Sequence, residues 1–221
     1  MSKKDYRTFD KTTLKSNSNA LREYLECLPP LSSEQKEALI GMILGDASLQ
    51  KQSKNYRIKY DLTNKNRPYA DHIIELLDGY VIGDPHIKDR GNAVNVAFQT
   101  ISHEEFNQLG ELFIKDGKKC VPEGLIRDHL TARGLAYWFM DDGGRTSYTG
   151  TSKGIDLHTQ GFTEEDVKNM SKELNEKFGF KFWTIKNKGK LIIRLSSYEY
   201  SKFLELVDPY INPHMRYKLP K

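Results

Sequence analysis

Two aspartates in matching places have the residue type and spacing for metal chemistry. Asp46 lies in LIGMILGDA, from Leu39 to Ala47, and Asp142 lies in LAYWFMDDG, from Leu135 to Gly143. Each is the eighth residue of an apolar run that opens on a leucine. A lone aspartate at a helix end usually just hydrogen-bonds nearby backbone. Two in one repeated register can instead converge, and their carboxylates then repel by a few kcal/mol at an effective dielectric of about 20. A divalent cation relieves that repulsion. Hard oxygen ligands without a thiolate or histidine cluster select Mg²⁺, with Mn²⁺ tolerated, over zinc. Asp141 competes for the second position, but counting from Leu135 selects Asp142 and aligns Asp141 with Gly45.

The spacing extends beyond the motifs. Ser102, Glu105, Phe106, Leu109, Glu111 and Leu112 are echoed by Ser196, Glu199, Tyr200, Phe203, Glu205 and Leu206. Lys119 just before Pro122 is echoed by Lys218 before Pro220. Landmarks in the same order at nearly constant offset mark a duplicated unit of roughly 90 to 100 residues. The domains expected are a basic arm with a short helix over 1–30, a first half over 31–128 and a second over 129–221.

Each half reads as αββαββα. After the first motif helix, Asn55 to Thr63 alternates, with Tyr56, Ile58, Tyr60 and Leu62 on one face and Arg57, Lys59, Asp61 and Thr63 on the other. A helix from about Arg67 to Tyr80, a strand at Val94 to Gln99 and a helix from His103 to Ile114 follow. The second half has strands at Ile155 to Gln160 and Leu191 to Ser196, and helices at Thr163 to Phe178, N-capped by Thr163, and at Tyr198 to Val207. The expected class is therefore α/β of the α+β kind, with antiparallel sheets covered on one face by helices. The motif helices are expected to pair. Gly41 and Gly45 form a small-residue stripe that admits a second helix, and Tyr137, at the position of Gly41, is expected to fill the space across the seam.

The open sheet faces are expected to bind. Arg57, Lys59, Asn95, Gln99, His158, Gln160 and Arg194 can reach phosphates or base edges, and Arg145, Lys186 and Lys188 are further candidates. A net charge of +4 and pI near 8.8 suit a polyanionic partner. Lys3, Lys4, Arg7, Lys11 and Lys15, interleaved with Ser, Thr and Asn, read as a mobile arm able to lie on phosphates. Cys27 and Cys120 are too few for a disulfide framework and are expected to be free thiols. The longest apolar runs, Leu39 to Leu44 and Ala136 to Met140, are too short to span a bilayer, and no signal-peptide pattern opens the chain. Asp166-Val-Lys168 sits in an amphipathic helix and reads as solvated surface. The six histidines form no helical metal pair, and no Walker or dinucleotide glycine pattern occurs.

LIGMILGDA and LAYWFMDDGG resemble the paired motifs of single-chain LAGLIDADG homing endonucleases, and the resemblance covers about Leu31 to Lys221. Ala47 stands where the motif ends in Gly, and Met140 where it has an inner Asp. The resemblance implies two pseudosymmetric halves packed through paired LAGLIDADG helices, with the sheets forming a saddle in the DNA major groove. It also implies a monomer that hydrolyses both strands of a long double-stranded DNA site to leave 3′ overhangs, promoting intron mobility. By analogy Asp46 and Asp142 hold Mg²⁺, with the carbonyls of Gly45 and Asp141 as further ligands. Ca²⁺ is expected to bind without supporting cleavage. Lys119 and Lys218 map onto the family's basic residues near the scissile phosphates. Synthesis inside an organelle, mitochondrion or chloroplast, is implied, which the absence of an Arg-rich transit segment fits. Two readings stay open beside it: an intron RNA maturase acting on its host intron, and a catalytically silent DNA-binding regulator.

Overall fold

The computed structural model describes residues 4–147 and 152–221. Its elements are α1 (Asn19–Cys27), α2 (Ser33–Leu44), β1 (Ser48–Gln52), β2 (Asn55–Thr63), α3 (Arg67–Leu76), β3 (His86–Asp89), β4 (Val94–Gln99), α4 (Asn107–Phe113), β5 (Ile114–Lys115) and β6 (Lys118–Lys119). They continue with α5 (Leu125–His129), α6 (Ala132–Asp142), β7 (Gly143–Arg145), β8 (Ile155–Leu157), α7 (Glu164–Phe178), β9 (Trp183–Asn187), β10 (Lys190–Leu195) and α8 (Tyr200–Val207). From α2 and again from α6 the order is αββαββα. Both four-stranded sheets are antiparallel and share one topology, β1-β2-β4-β3 and β7-β8-β10-β9.

The chain forms two compact units. Unit 1 is the segment up to Gln35 with Ser48–Gln108, and unit 2 is Lys36–Ala47 with Leu109–Lys221. The body of α2 therefore belongs to the unit that holds the second sheet.

In unit 1, Ile58, Tyr60 and Leu62 of β2 are buried with Val96 and Phe98 of β4, against Tyr69, Ala70 and Ile73 of α3 and Phe106. The cross-strand register puts Ser48, Gln50, Arg57, Lys59, Asp61, Asn95 and Gln99 on the opposite face, as the alternation predicts. The N-terminal segment is not a free arm. Tyr6 and Phe9 pack edge-on against buried Tyr24, the Tyr6 hydroxyl donates to Asp78 at 2.7 Å, and Leu14 is buried. Its aromatic residues outweigh the polar composition that suggested mobility. Lys4, Arg7, Lys11 and Lys15 remain exposed, and Lys3 lies outside the described residues.

In unit 2, α7 covers β9 and β10. Its capping box is complete: Thr163 Oγ1 accepts the Asp166 N–H, and Asp166 accepts the Thr163 N–H. Asp166 is thus used in the helix cap. Strand β8 ends at Leu157, before the expected Gln160, because Thr159 turns inward to donate to the Leu191 carbonyl at 3.2 Å. Helix α3 stops at Leu76, ahead of Gly79 at φ +86°. Among the described residues no helix is long and apolar enough to cross a membrane.

Helix α2 is buried all around from Ala38 to Leu44, as is α6 from Gly134 to Asp141. They run in the same direction: Glu37 Oε2 accepts from Thr131 Oγ1 at 3.0 Å near their starts, and Asp46 N–H donates to Asp141 Oδ2 at 3.3 Å at their ends. Between these points the backbones nearly touch. A Cβ on Gly41 would lie 1.8 Å from the Gly134 carbonyl oxygen. Gly41 therefore faces another glycine, and the expected filling by Tyr137 does not occur. Gly45 is equally constrained, since its Cβ would lie 2.4 Å from that of Asp141. Gly41→Ala should force the helices apart and destabilise the protein by about 1–3 kcal/mol, measured by urea unfolding. Gly83→Ala, where no atom lies within 4 Å of the added carbon, should stay within about 0.5 kcal/mol.

Candidate functional site

All the groups that converge at the ends of α2 and α6 belong to unit 2. Each helix leaves unsatisfied carbonyls and partial negative charge at its C-terminus. Parallel pairing brings those two ends together: α6 ends on Asp142, and Asp46 lies two residues beyond the end of α2. Two lysines answer. Lys119 Nζ donates to the Gly45 carbonyl at 3.1 Å and the Ala47 carbonyl at 3.5 Å, and Lys218 Nζ donates to the Asp141 carbonyl at 2.5 Å. Each lysine thus caps the residue just before one of the two aspartates.

Local structure fixes both cations. Lys119 lies on the β5–β6 hairpin, whose turn residues Asp116 and Gly117 have φ of 51° and 72°. Asp-Gly is the sequence such a two-residue turn favours. Its ammonium also sits 5.3 Å from the Phe162 ring centroid. Lys218 ends a 3-10 helix over Pro213–Lys218, capped by the Asn212 side chain. The tail behind it is pinned by the Tyr200 hydroxyl, which donates to the Pro220 carbonyl at 2.9 Å.

The electrostatics show how close these groups are. Burial raises the pKa of Asp142 from an ordinary 3.8 to about 7, the Asp46 charge adds to the rise, and Lys119 and Lys218 oppose it. Asp46 is open to solvent, yet the packed helix ends around it also raise its pKa against the pull of Lys218 and Lys119. Burial lowers the pKa of Lys119, while Asp142, Asp141 and Asp46 support its charge. Asp141 is buried, and its carboxylate is taken up by the Asp46 N–H, which leaves Asp142 as the second carboxylate facing Asp46. Among the described residues no group of three or more His, Cys, Asp or Glu can hold a metal, so a cation here relies on two carboxylates and backbone oxygen. The donors do fit a hard divalent cation, because the two charges the fold disfavours are those such an ion would stabilise.

Of the expected contact residues, Arg57, Lys59, Asn95 and Gln99 lie on the open face of the unit 1 sheet. Arg57 donates to Gln50 at 2.9 and 2.6 Å, and Asn95 donates to Asp61 at 2.7 Å. Asp61 also accepts from Lys88 and Arg90. These partners outweigh its burial and hold its pKa below the usual range. On the unit 2 sheet, Arg194 shares the open face with Asp156, and His158 continues that face, its backbone N–H donating to the Asp142 carbonyl at 2.8 Å. Burial lowers the His158 pKa, with Lys218 and Arg194 adding to the effect and Asp156 opposing it. Gln160 follows, its carbonyl accepting from Lys190. Register places Arg145 beside Ile155 and Lys186 beside Leu191, on the face opposite Arg194, where Arg145 is half-buried and Lys186 exposed. Lys188 lies in the β9–β10 turn at φ 51°. Cys27 and Cys120 are free thiols.

Gly134 and Asp156 escaped the sequence reading, and Asp141, read there as a competing carboxylate and a carbonyl ligand, has a further role through its side chain. Gly134 is the seam partner of Gly41, and its signal was another glycine one position ahead of the second motif. The Asp141 side chain ties the two helix ends together. Asp156 pairs with Arg194, and the alternation of β8 could have placed it on the open face.

A carboxylate whose folded pKa lies above its unfolded value favours the fold most when protonated, so stability falls as pH rises from about 4 to about 7. Asp142→Asn removes that penalty. Without metal the variant should melt several degrees above the parent at pH 8, with the gap closing toward pH 4, as differential scanning fluorimetry would show.

Residues 36–203 match a model described as the LAGLIDADG DNA endonuclease family. A probable intron-encoded endonuclease 1 from Wickerhamomyces canadensis is 39% identical over 210 residues, 92% of this chain and 91% of that protein. The cytochrome b mRNA maturase bI2 of Debaryomyces hansenii is 28% identical over 204 residues, 86% of this chain and 75% of that protein. The solved structure of the homing endonuclease I-WcaI bound to its DNA recognition sequence has a TM-score of 0.89 at 38% identity, covering 95% of this chain and 97% of that one. With its duplicated αββαββα order and glycine-paired motif helices, this chain belongs to the LAGLIDADG DNA endonuclease family.

Proposed function

We propose that this protein is a site-specific homing endonuclease that hydrolyses both strands of double-stranded DNA with a divalent cation, Mg²⁺ first. The observation that carries this reading is the convergence of Asp46 and Asp142 beside Lys119 and Lys218, in a chain 38% identical to an endonuclease solved on its recognition sequence. Asp46 and Asp142 would hold the cation, with the Gly45 and Asp141 carbonyls adjoining. When bound, the cation supplies charge stabilisation for the attacking and leaving oxygens of a phosphodiester. A water oxygen forms the new bond to phosphorus as the bond to one sugar oxygen breaks. Lys119 and Lys218, held in place by the carbonyls they cap, offset negative charge on the phosphoryl oxygens as it builds up. The open sheet faces supply contacts to phosphate and base. Both carboxylates are on one chain, so a monomer suffices, and its unlike halves suit an asymmetric site cut to leave 3′ overhangs. Expression within an organelle is the expectation that similarity to intron-encoded endonucleases supports.

The test is cleavage of a randomised duplex library in Mg²⁺, with sequencing of the ends. One long motif should emerge, EDTA should abolish cutting, and Ca²⁺ should support binding alone. Asp46→Asn and Asp142→Asn should each abolish cutting while retaining binding, and Lys119→Ala or Lys218→Ala should slow it by roughly 10²- to 10³-fold. Sequence-specific binding without cleavage by the parent protein in any divalent cation would overturn the endonuclease reading and favour the regulator, which the retained Asp46 and Asp142 argue against.

Similarity to a cytochrome b mRNA maturase supports a second role in intron splicing. An in vitro splicing assay with Asp46→Ala protein tests it separately from cleavage, and no gain in splicing from either form removes it.

A further inference from the structure

Four side-chain positions form one cross-strand row on the open face of the unit 2 sheet: Gly144, Asp156, Arg194 and Trp183. Asp156 is only 5% exposed. Arg194 binds it edge to edge, Nε to Oδ1 at 2.6 Å and Nη2 to Oδ2 at 2.7 Å. This bidentate pairing takes up one edge of the guanidinium and fixes its plane. The Arg194 side chain keeps 30% exposure, and among the described residues nothing accepts from its terminal fork. Gly144 adds no side chain on one flank, and Trp183, 41% exposed, stands on the other.

The free fork offers two parallel donors. In the major groove only guanine presents two adjacent acceptors, O6 and N7; adenine offers one acceptor beside a donor, and thymine one acceptor beside a methyl group. A phosphate also accepts from such a fork, but the buried Asp156 charge would repel it, whereas an uncharged base edge is not repelled in this way. We propose that Arg194 reads a guanine in the half-site lying on the unit 2 sheet, and that Asp156 is the positioning residue that aims it. This inference rests on the proposed site-specific recognition of DNA. The equivalent row of the unit 1 sheet carries Ser48, Lys59 and Gln99, and Arg57 on that face is held by the neutral Gln50, so the effect of Asp156→Asn belongs to one half-site and the other serves as its internal control.

Binding selection on a randomised duplex library in Ca²⁺, run with the parent, Arg194→Lys and Asp156→Asn, tests the proposal. The parent should show one position almost exclusively guanine, and 7-deazaguanine there, which lacks N7, should weaken its binding roughly 5- to 100-fold. Arg194→Lys should flatten preference at that position alone. Asp156→Asn should flatten the same position without lowering affinity for unrelated duplex, a pattern that loss of folding cannot imitate. The 7-deazaguanine comparison needs no variant to fold. Uniform weakening of all sequences by Arg194→Lys, or a 7-deazaguanine site bound as tightly as guanine, would overturn the assignment while leaving site-specific recognition intact. Failure of the parent to enrich any motif would overturn both.

Discussion

The approach of α2 to α6 at Gly41 and Gly134 is the constraint the rest of the molecule answers to. With no side chain at either position, two parallel helices come into backbone contact, and their C-terminal ends converge. That arrangement gathers negative charge from two helix termini and two carboxylates. A chain chosen for stability alone would place neutral or cationic residues there. Here the fold tolerates an Asp142 held at a pKa of about 7 and recruits one lysine from a hairpin and another from the C-terminal tail. Stability is given up where charge is needed, a common arrangement at functional sites.

The two sheets repeat one topology but differ in surface chemistry. In unit 1, Asp61 gathers Lys88, Arg90 and Asn95 into one network. In unit 2 a single bidentate pair, Asp156 with Arg194, dominates the open face. A surface that carries its own carboxylates, Asp61 half-buried and Asp156 buried, has less attraction for phosphate in general than its arginines and lysines alone would give. It gains orientation in exchange, since each tethered cation points in one direction before any ligand arrives.

Much of this was legible in the chain because duplication turns weak signals into paired ones. Asn55–Thr63 and Val94–Gln99 were marked out by alternation, and Thr163 by its place before an amphipathic run. Asp46 and Asp142 were singled out by register. What was not legible depends on contacts between distant residues. No local pattern says that Gly41 meets Gly134 in place of Tyr137, because helix pairing is decided by crossing geometry. Nor does composition reveal that Tyr6 and Phe9 tie the basic N-terminal segment to Tyr24. Arg145 and Lys186 looked equivalent to Arg194 as cations, and only the strand register sends them to the face opposite it.

The membership of α2 in the second compact unit bears on how such a chain can be recombined. The sequence repeat invites a cut midway, yet residues 129–221 taken alone leave Lys36–Ala47 behind, and with it the buried side chains from Ala38 to Leu44. The units of inheritance and the units of packing are therefore offset by α2 and by the segment Leu109–Asp128, which carries Lys119. Exchange of halves between relatives would succeed only when both motif helices travel as a matched pair, so the two sheets can diverge freely while the paired helices are bound to evolve together.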